Sequence, residues 1–283
     1  MLFGCYIFFI FHSVFKCVQL IRPMDQICFY YRLVMGWIRF VEGKKIFDCI
    51  NSPNTAHPTP VYVEEIKVFR ILANDHFCNA NHCIVISVSN FMKTLASFDS
   101  ILLCINSIFS KGRGYPDIPT RRCEKSRPLS LDIMLPILCI LYFNRFLRLL
   151  VDNLYIPAYC LVDCDPYGFD ILTTYRFGSM QMAYDTKHLR VPEIHWLGAF
   201  PSDSDRYFVP KQCLLPLTVE DKRKIKAMLL RCYLQREVPE WRLELRMMLQ
   251  KGVKFEIEAL SVHTLSFLTE SYIPSKIHGK VKI

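Results

Sequence analysis

The chain has no Cys-x-x-Cys pair and no even cysteine rhythm, although it holds 13 cysteines. The odd count, spread from Cys5 to Cys232 among apolar neighbours such as Ile84, Leu103 and Leu161, speaks against a secreted disulfide scaffold. Reduced, buried thiols of a nuclear or cytosolic protein fit instead. Glycine is scarce, at 10 of 283 residues, which excludes a collagen-like or low-complexity chain. Charged residues are only 22% against 52% hydrophobic ones, so the chain is not a solvating, disordered one. Acidic residues are the scarcer sign: 26 against 35 Lys plus Arg, a net charge of +9. That balance suits a polyanionic partner without naming one.

A membrane anchor also lacks its signals. Met1–Phe15 is strongly apolar but has no basic leader, is followed by Lys16 and is broken by His12. A span needs about 20 apolar residues, and 133–143 is far shorter. No membrane association is expected. His76, Cys78, His82 and Cys83 crowd together, but zinc needs a second ligand pair at finger spacing.

The chain from about Phe146 onward reads as well-patterned α/β sequence. Ala158–Asp163 is an apolar run of strand formers, punctuated by Pro166 and Gly168. Helical spacing follows over Phe169–Phe177. Thr218 with Asp221 forms a capping-box pattern, and Ile225, Met228, Leu229 and Cys232 then share a face. Pro239 suits a first helical position, Trp241, Leu245, Met248 and Leu249 form a stripe, and Gly252 stops it. The basic run Lys222–Lys226 reads as the solvated side of its helix.

Before Phe146 the pattern is less coherent. Ile66–Cys78 reads as helical and His82–Ser87 as a strand. From Ser87 to Ala158 there are 70 intervening residues, too many for one parallel crossover. Removing 88–110 and 123–145 leaves 24, a normal loop plus helix. Two insertions are therefore expected in a strand–helix–strand unit. Retained intron sequence is one source, because Val88-Ser89 is what a splice donor would encode; a pair of genuine family-specific helices is the other.

The chemical signal is Asp163-Cys164-Asp165-Pro166-Tyr167-Gly168, set directly after the apolar strand. Two carboxylates at the carboxyl end of a parallel strand face the crevice where open α/β sheets bind ligands. Their hard oxygens suit Mg2+. A second feature is Lys111–Arg127, which carries six basic residues (Lys111, Arg113, Arg121, Arg122, Lys125 and Arg127) against Asp117 and Glu124. These 17 residues hold +4 of the chain's +9, and Gly112 and Gly114 let a phosphate approach the backbone.

These residues resemble a known family. The Asp163–Gly168 motif is similar to the DxD of the Toprim fold. Phe169–Tyr184, His195–Asp203, Pro210–Thr218 and Lys254–Phe267 resemble the A-type chain of type VI DNA topoisomerases and its eukaryotic meiotic double-strand-break descendants, in their plant-like version. Gly112–Arg122 fits the same family, and Val34–Pro60 is similar to the stretch preceding its Toprim domain. The resemblance implies an α/β fold: a Toprim-type parallel sheet flanked by helices, with a helical C-terminal extension. It divides the chain into an unassigned apolar segment at 1–33, a pre-Toprim remnant at 34–62, and the Toprim domain with its extension at 63–283.

The resemblance further implies tyrosyl transesterification of duplex DNA with Mg2+ in a homodimer, an ATPase B-type partner subunit, and a nuclear, chromosomal location. The metal ligands it implies are Asp163, Asp165 and a glutamate ending an earlier strand. Glu64 has the family's spacing to Val68-Phe69, but Pro58 and Pro60 just before it argue against a central strand. Tyr31 copies the look of the nucleophile, yet Tyr30-Tyr31 stands only three residues before Val34, where the family places tens. The winged-helix domain that holds the nucleophile is therefore expected to be missing or incomplete. Lys111, Arg113, Arg121 and Arg122 are the implied DNA contacts. The rival expectation is a DNA- and metal-binding dimerisation module without a nucleophile.

Overall fold

Ala158–Val162 carries no charge over five residues, and such a run is stable as a strand only when both faces are covered. In a computed structural model of the chain all five are buried. The structure describes residues 5–10, 18–21, 33–42, 45–48, 54–55, 71–72, 74–87, 147–148, 150–152, 157–178, 190–262, 264 and 266–280.

In chain order the strands of the first half are β1 (Cys5–Ile10), β2 (Val18–Ile21), β3 (Leu33–Gly36), β4 (Ile38–Glu42), β5 (Lys45–Asp48) and β6 (Asn54–Thr55). A single helical turn, α1 (Phe77–Ala80), leads into β7 (Cys83–Ser87). The second half begins with β8 (Ala158–Val162), α2 (Pro166–Phe177) and β9 (Ile194–Gly198). It continues through α3 (Asp203–Arg206), β10 (Leu215–Pro216), α4 (Val219–Leu229), α5 (Cys232–Arg236), α6 (Pro239–Lys251) and β11 (Val253–Lys254) to α7 (Ile273–Lys280).

The main sheet has the order β6-β3-β7-β1-β8-β9. Strands β8 and β9 are parallel and are joined through α2, whose buried Phe169, Leu172 and Tyr175 face the core. Strand β1 lies between β7 and β8 and runs antiparallel to both, so that Ile7 stands opposite Ile86 on one side and Cys160 on the other. This corrects the direct strand-to-strand crossover expected from 82–87 to 158–163: the two strands share a direction but are not neighbours. The spacing argument counted chain length only. It had no term for a six-residue uncharged segment, CYIFFI, that pairs along both edges at the sheet centre. The apolar 1–33 segment thus supplies two strands, and β2 joins β4 and β5 in a separate three-stranded sheet.

The helical second half follows its sequence signals closely. Thr218 and Asp221 make the reciprocal capping box of α4. Pro239 opens α6, and Gly252 closes it in the left-handed conformation at φ 70°. Trp241 from α6 packs edge-on to Phe169 and Trp196, which joins the helical extension to the sheet layer. A further anchor is Asp203, fully buried, which accepts from the Tyr272 hydroxyl and the Lys276 ammonium, each at 2.6 Å. The expected insertions at 88–110 and 123–145 lie outside the described residues. Among the described residues no helix is long and apolar enough to cross a membrane.

Candidate metal centre

Strand β8 ends at Val162, and side-chain alternation then sends Asp163 and Asp165 to one side and Cys164 to the other. Cys164 is buried, and its thiol is pushed well up by burial and then by the surrounding carboxylates, Asp165 first. The loop turns at Cys164, where Asp165 N–H donates to the Asp163 carbonyl at 2.8 Å, and is held by the C-terminal extension. Cys164 N–H donates to the Phe255 carbonyl at 3.0 Å, and Phe255 N–H donates back at 3.2 Å. In an antiparallel pair of this kind the flanking residues face each other across the ladder, on the face opposite Cys164. Lys254 therefore stands opposite Asp165, and Glu256 opposite Asp163.

Each carboxylate has a fixed orientation. Asp163 Oδ1 accepts from the Ile257 N–H at 2.9 Å. Asp165 caps α2, with Oδ1 accepting from the Gly168 N–H at 2.6 Å, and Pro166 occupies the first helical turn. Gly168 is required there, because a Cβ would lie 2.8 Å from the Asp163 carbonyl and 3.2 Å from Asp165 Oδ1. Both aspartates are nearly fully buried, at 4% and 6% exposed. Burial lifts the Asp165 carboxyl to about 6, against the Gly168 and Tyr167 N–H groups and the Lys254 charge, which pull it down.

Lys254 is itself buried, its ammonium 2.6 Å from Asp221 Oδ2. Burial pushes Asp221 up, but the Lys254 ion pair and the Thr218 cap outweigh it and hold the carboxyl below its ordinary value. The region therefore reads as alternating charge: Asp165, Lys254, Asp221. Its donor chemistry fits a small hard cation, since the two carboxylates share one face and Asp165 has a buried charge that the protein compensates only in part. Such an ion binds through one or two carboxylates and keeps water or phosphate oxygens for the rest. Among the described residues no third His, Cys, Asp or Glu converges with this pair.

Of the residues singled out in the sequence, Asp163 and Asp165 are brought together. Tyr31, Glu64, Lys111, Arg113, Arg121 and Arg122 lie outside the described residues. His76, Cys78, His82 and Cys83 form no metal-binding group among the described residues. His82 instead meets Trp37 edge-on at 4.8 Å, and Cys78 and Cys83 are free buried thiols. Sequence reasoning passed over Lys254, Glu256 and Asp221. A signal was present in Lys254, a lysine set between Val253 and Phe255, because a lysine in apolar surroundings requires a carboxylate partner.

Comparison with known proteins places these features in context. A family model for the Toprim domain shared by the topoisomerase 6 A-type chain and Spo11 matches residues 141–277. The chain is 49% identical to "Meiotic recombination protein SPO11-1" of Arabidopsis thaliana, over 97% of this chain and 72% of that protein. It is 45% identical to the protein of the same name from Oryza sativa subsp. indica, over 96% of this chain and 67% of the relative. It is also 33% identical to the A-type chain of DNA topoisomerase 6 from Arabidopsis thaliana, over 76% of this chain and 39% of that protein.

Proposed function

Because the chain belongs to the family of Spo11 meiotic recombination proteins and A-type topoisomerase VI chains, we propose that it acts in the DNA cleavage that initiates meiotic recombination. The observation that carries this reading is the Asp163/Asp165 pair, buried and oriented on one face at the end of β8 and the start of α2.

In the proposed reaction a tyrosine hydroxyl attacks a backbone phosphorus. A phosphotyrosyl bond forms to the 5′ end, and the bond from phosphorus to the 3′ oxygen breaks. The phenolic proton is lost, and the departing oxygen gains one to become a 3′-hydroxyl. Mg2+ held by Asp163 and Asp165 would offset the negative charge that develops on the phosphate oxygens. The protein's part is to keep the carboxylates aimed, through the Ile257 and Gly168 N–H groups, before any substrate arrives. Tyr31 is the proposed nucleophile and Glu64 the proposed third carboxylate. Lys111, Arg113, Arg121 and Arg122 are the proposed DNA-backbone contacts. Cutting both strands calls for a homodimer on double-stranded DNA in the nucleus. ATP hydrolysis falls to a B-type partner subunit rather than to this chain.

A second reading is favoured by the spacing of Tyr31 and by β1, which brings Cys5 rather than an acid level with Val162 at the site end of the sheet. In it the chain binds DNA and metal as a dimerisation module and does not cut. Covalent trapping separates the two. A protein–DNA adduct that survives denaturant, needs Mg2+ and disappears in Tyr31→Phe supports cleavage by this chain. Salt-sensitive DNA binding with no adduct supports the module.

A further inference from the structure

Lysine is almost never buried unless a fixed partner holds its charge. Lys254 is 4% exposed. The Cys164–Phe255 pair fixes its register: extended backbone at Asp165 (φ −143°, ψ 164°) and at Glu256 (φ −85°, ψ 157°) flanks that pair and puts Lys254 directly across from Asp165. Asp221 locks the ammonium at 2.6 Å while also accepting the Thr218 N–H at 3.0 Å, so its second partner is itself fixed by the cap of α4. The lysine therefore joins three elements, β11, α4 and the DxD loop, with a charge that cannot move far.

We infer that Lys254 is a positioning residue of the candidate metal centre: it is the resident counter-cation of the Asp165 carboxylate and limits how tightly a divalent cation binds there. This rests on the proposed Asp163/Asp165 metal site. Two carboxylates on one face repel each other, and a fixed ammonium opposite one of them keeps both in place in the metal-free protein. The Cys164–Phe255 bridge holds Lys254 on the Asp165 side of the ladder, while Asp221 fixes its ammonium at 2.6 Å. The same fixed charge repels an incoming dication, so the site takes up and gives up its ion readily instead of holding it permanently. A purely structural ion pair would hold β11 to α4 and leave metal affinity unchanged.

The test is calorimetric titration of Mg2+ into the full chain at pH 8, comparing the wild type with Asp165→Asn, Lys254→Arg and the paired Asp221→Asn/Lys254→Met. The pair removes the buried ion pair together, which guards against misfolding from one unpaired buried charge. The paired variant is expected to bind Mg2+ at least threefold more tightly than the wild type, and Lys254→Arg within twofold of it. If Asp165→Asn abolishes binding while the paired variant stays within twofold of the wild type, the inference on Lys254 falls and the metal site stands. A Lys254→Arg shift as large as that of the pair also overturns it, because packing and not charge would then be responsible. If Asp165→Asn binds Mg2+ as the wild type does, the metal site itself falls, and this inference with it.

Discussion

Replacing Asp165 by asparagine should make the metal-free protein more stable, not less, by an amount that grows as pH rises from about 4 and is complete above about pH 6. The carboxyl is held at about 6 by burial, against an ordinary 3.8. A carboxyl whose folded value is raised binds its proton more tightly in the folded state. Its charge therefore costs nothing well below 3.8, an increasing amount between 3.8 and 6, and the full amount above 6. The gap corresponds to about 3 kcal/mol at neutral pH. Asparagine retains an oxygen that can accept the Gly168 N–H and cap α2, so the helix start survives. In urea titrations with chelator, Asp165→Asn should exceed the wild type by about 2 to 3 kcal/mol at pH 7.5, and by about half a kcal/mol at pH 4. Adding Mg2+ should stabilise only the wild type. A variant destabilised equally at both pH values would refute the reasoning, since Asp165 would then be a cap and nothing more.

Asp170 should behave in the opposite sense. Burial pushes it up, but Lys224 and Arg231, each at 2.8 Å, outweigh that and hold it below 3.8. Its stabilisation is present above about pH 4 and is lost as pH falls through the depressed value, so Asp170→Asn should weaken the protein at pH 7, and its deficit should shrink as pH falls below the ordinary carboxylate range in the same titrations. Gly198→Ala would drive a Cβ into the Tyr272 hydroxyl, which is fixed by Asp203, and thermal melting should show a loss of about 3 kcal/mol or more. Neutralising Arg113, Arg121 and Arg122 together should lower the slope of log affinity for duplex DNA against log salt by about 3, read by fluorescence anisotropy; an unchanged slope would remove those arginines from the DNA contacts.

Much of the second half was legible in the sequence because its signals are local. The capping box at Thr218 and Asp221, Pro239 at the head of α6 and Gly252 at its end each act within one turn. The apolar run ending in Asp163 placed the carboxylates, since a strand buried on both faces followed by a Pro and Gly turn has few alternatives. Lys254 was illegible as a site residue because its role depends on a cross-strand partner 89 positions earlier in the chain. The position of β1 was illegible for the same reason. Its composition announces a buried strand, but nothing within CYIFFI specifies which two strands will flank it, or in which direction it will run.

The location of β1 also bears on how the chain is made. During synthesis CYIFFI leaves the ribosome roughly 70 residues ahead of β7 and 150 ahead of β8, the two strands that cover its edges. For that interval an uncharged, β-prone hexapeptide has both edges unpaired, the kind of segment that joins with other copies of itself. Closing the sheet centre waits on the β1–β8 pairing, the longest-range strand pairing among the described residues, which makes assembly slow relative to the local helices of the second half. Yield of soluble protein should therefore depend on translation speed and chaperone supply more than on the final stability of the sheet.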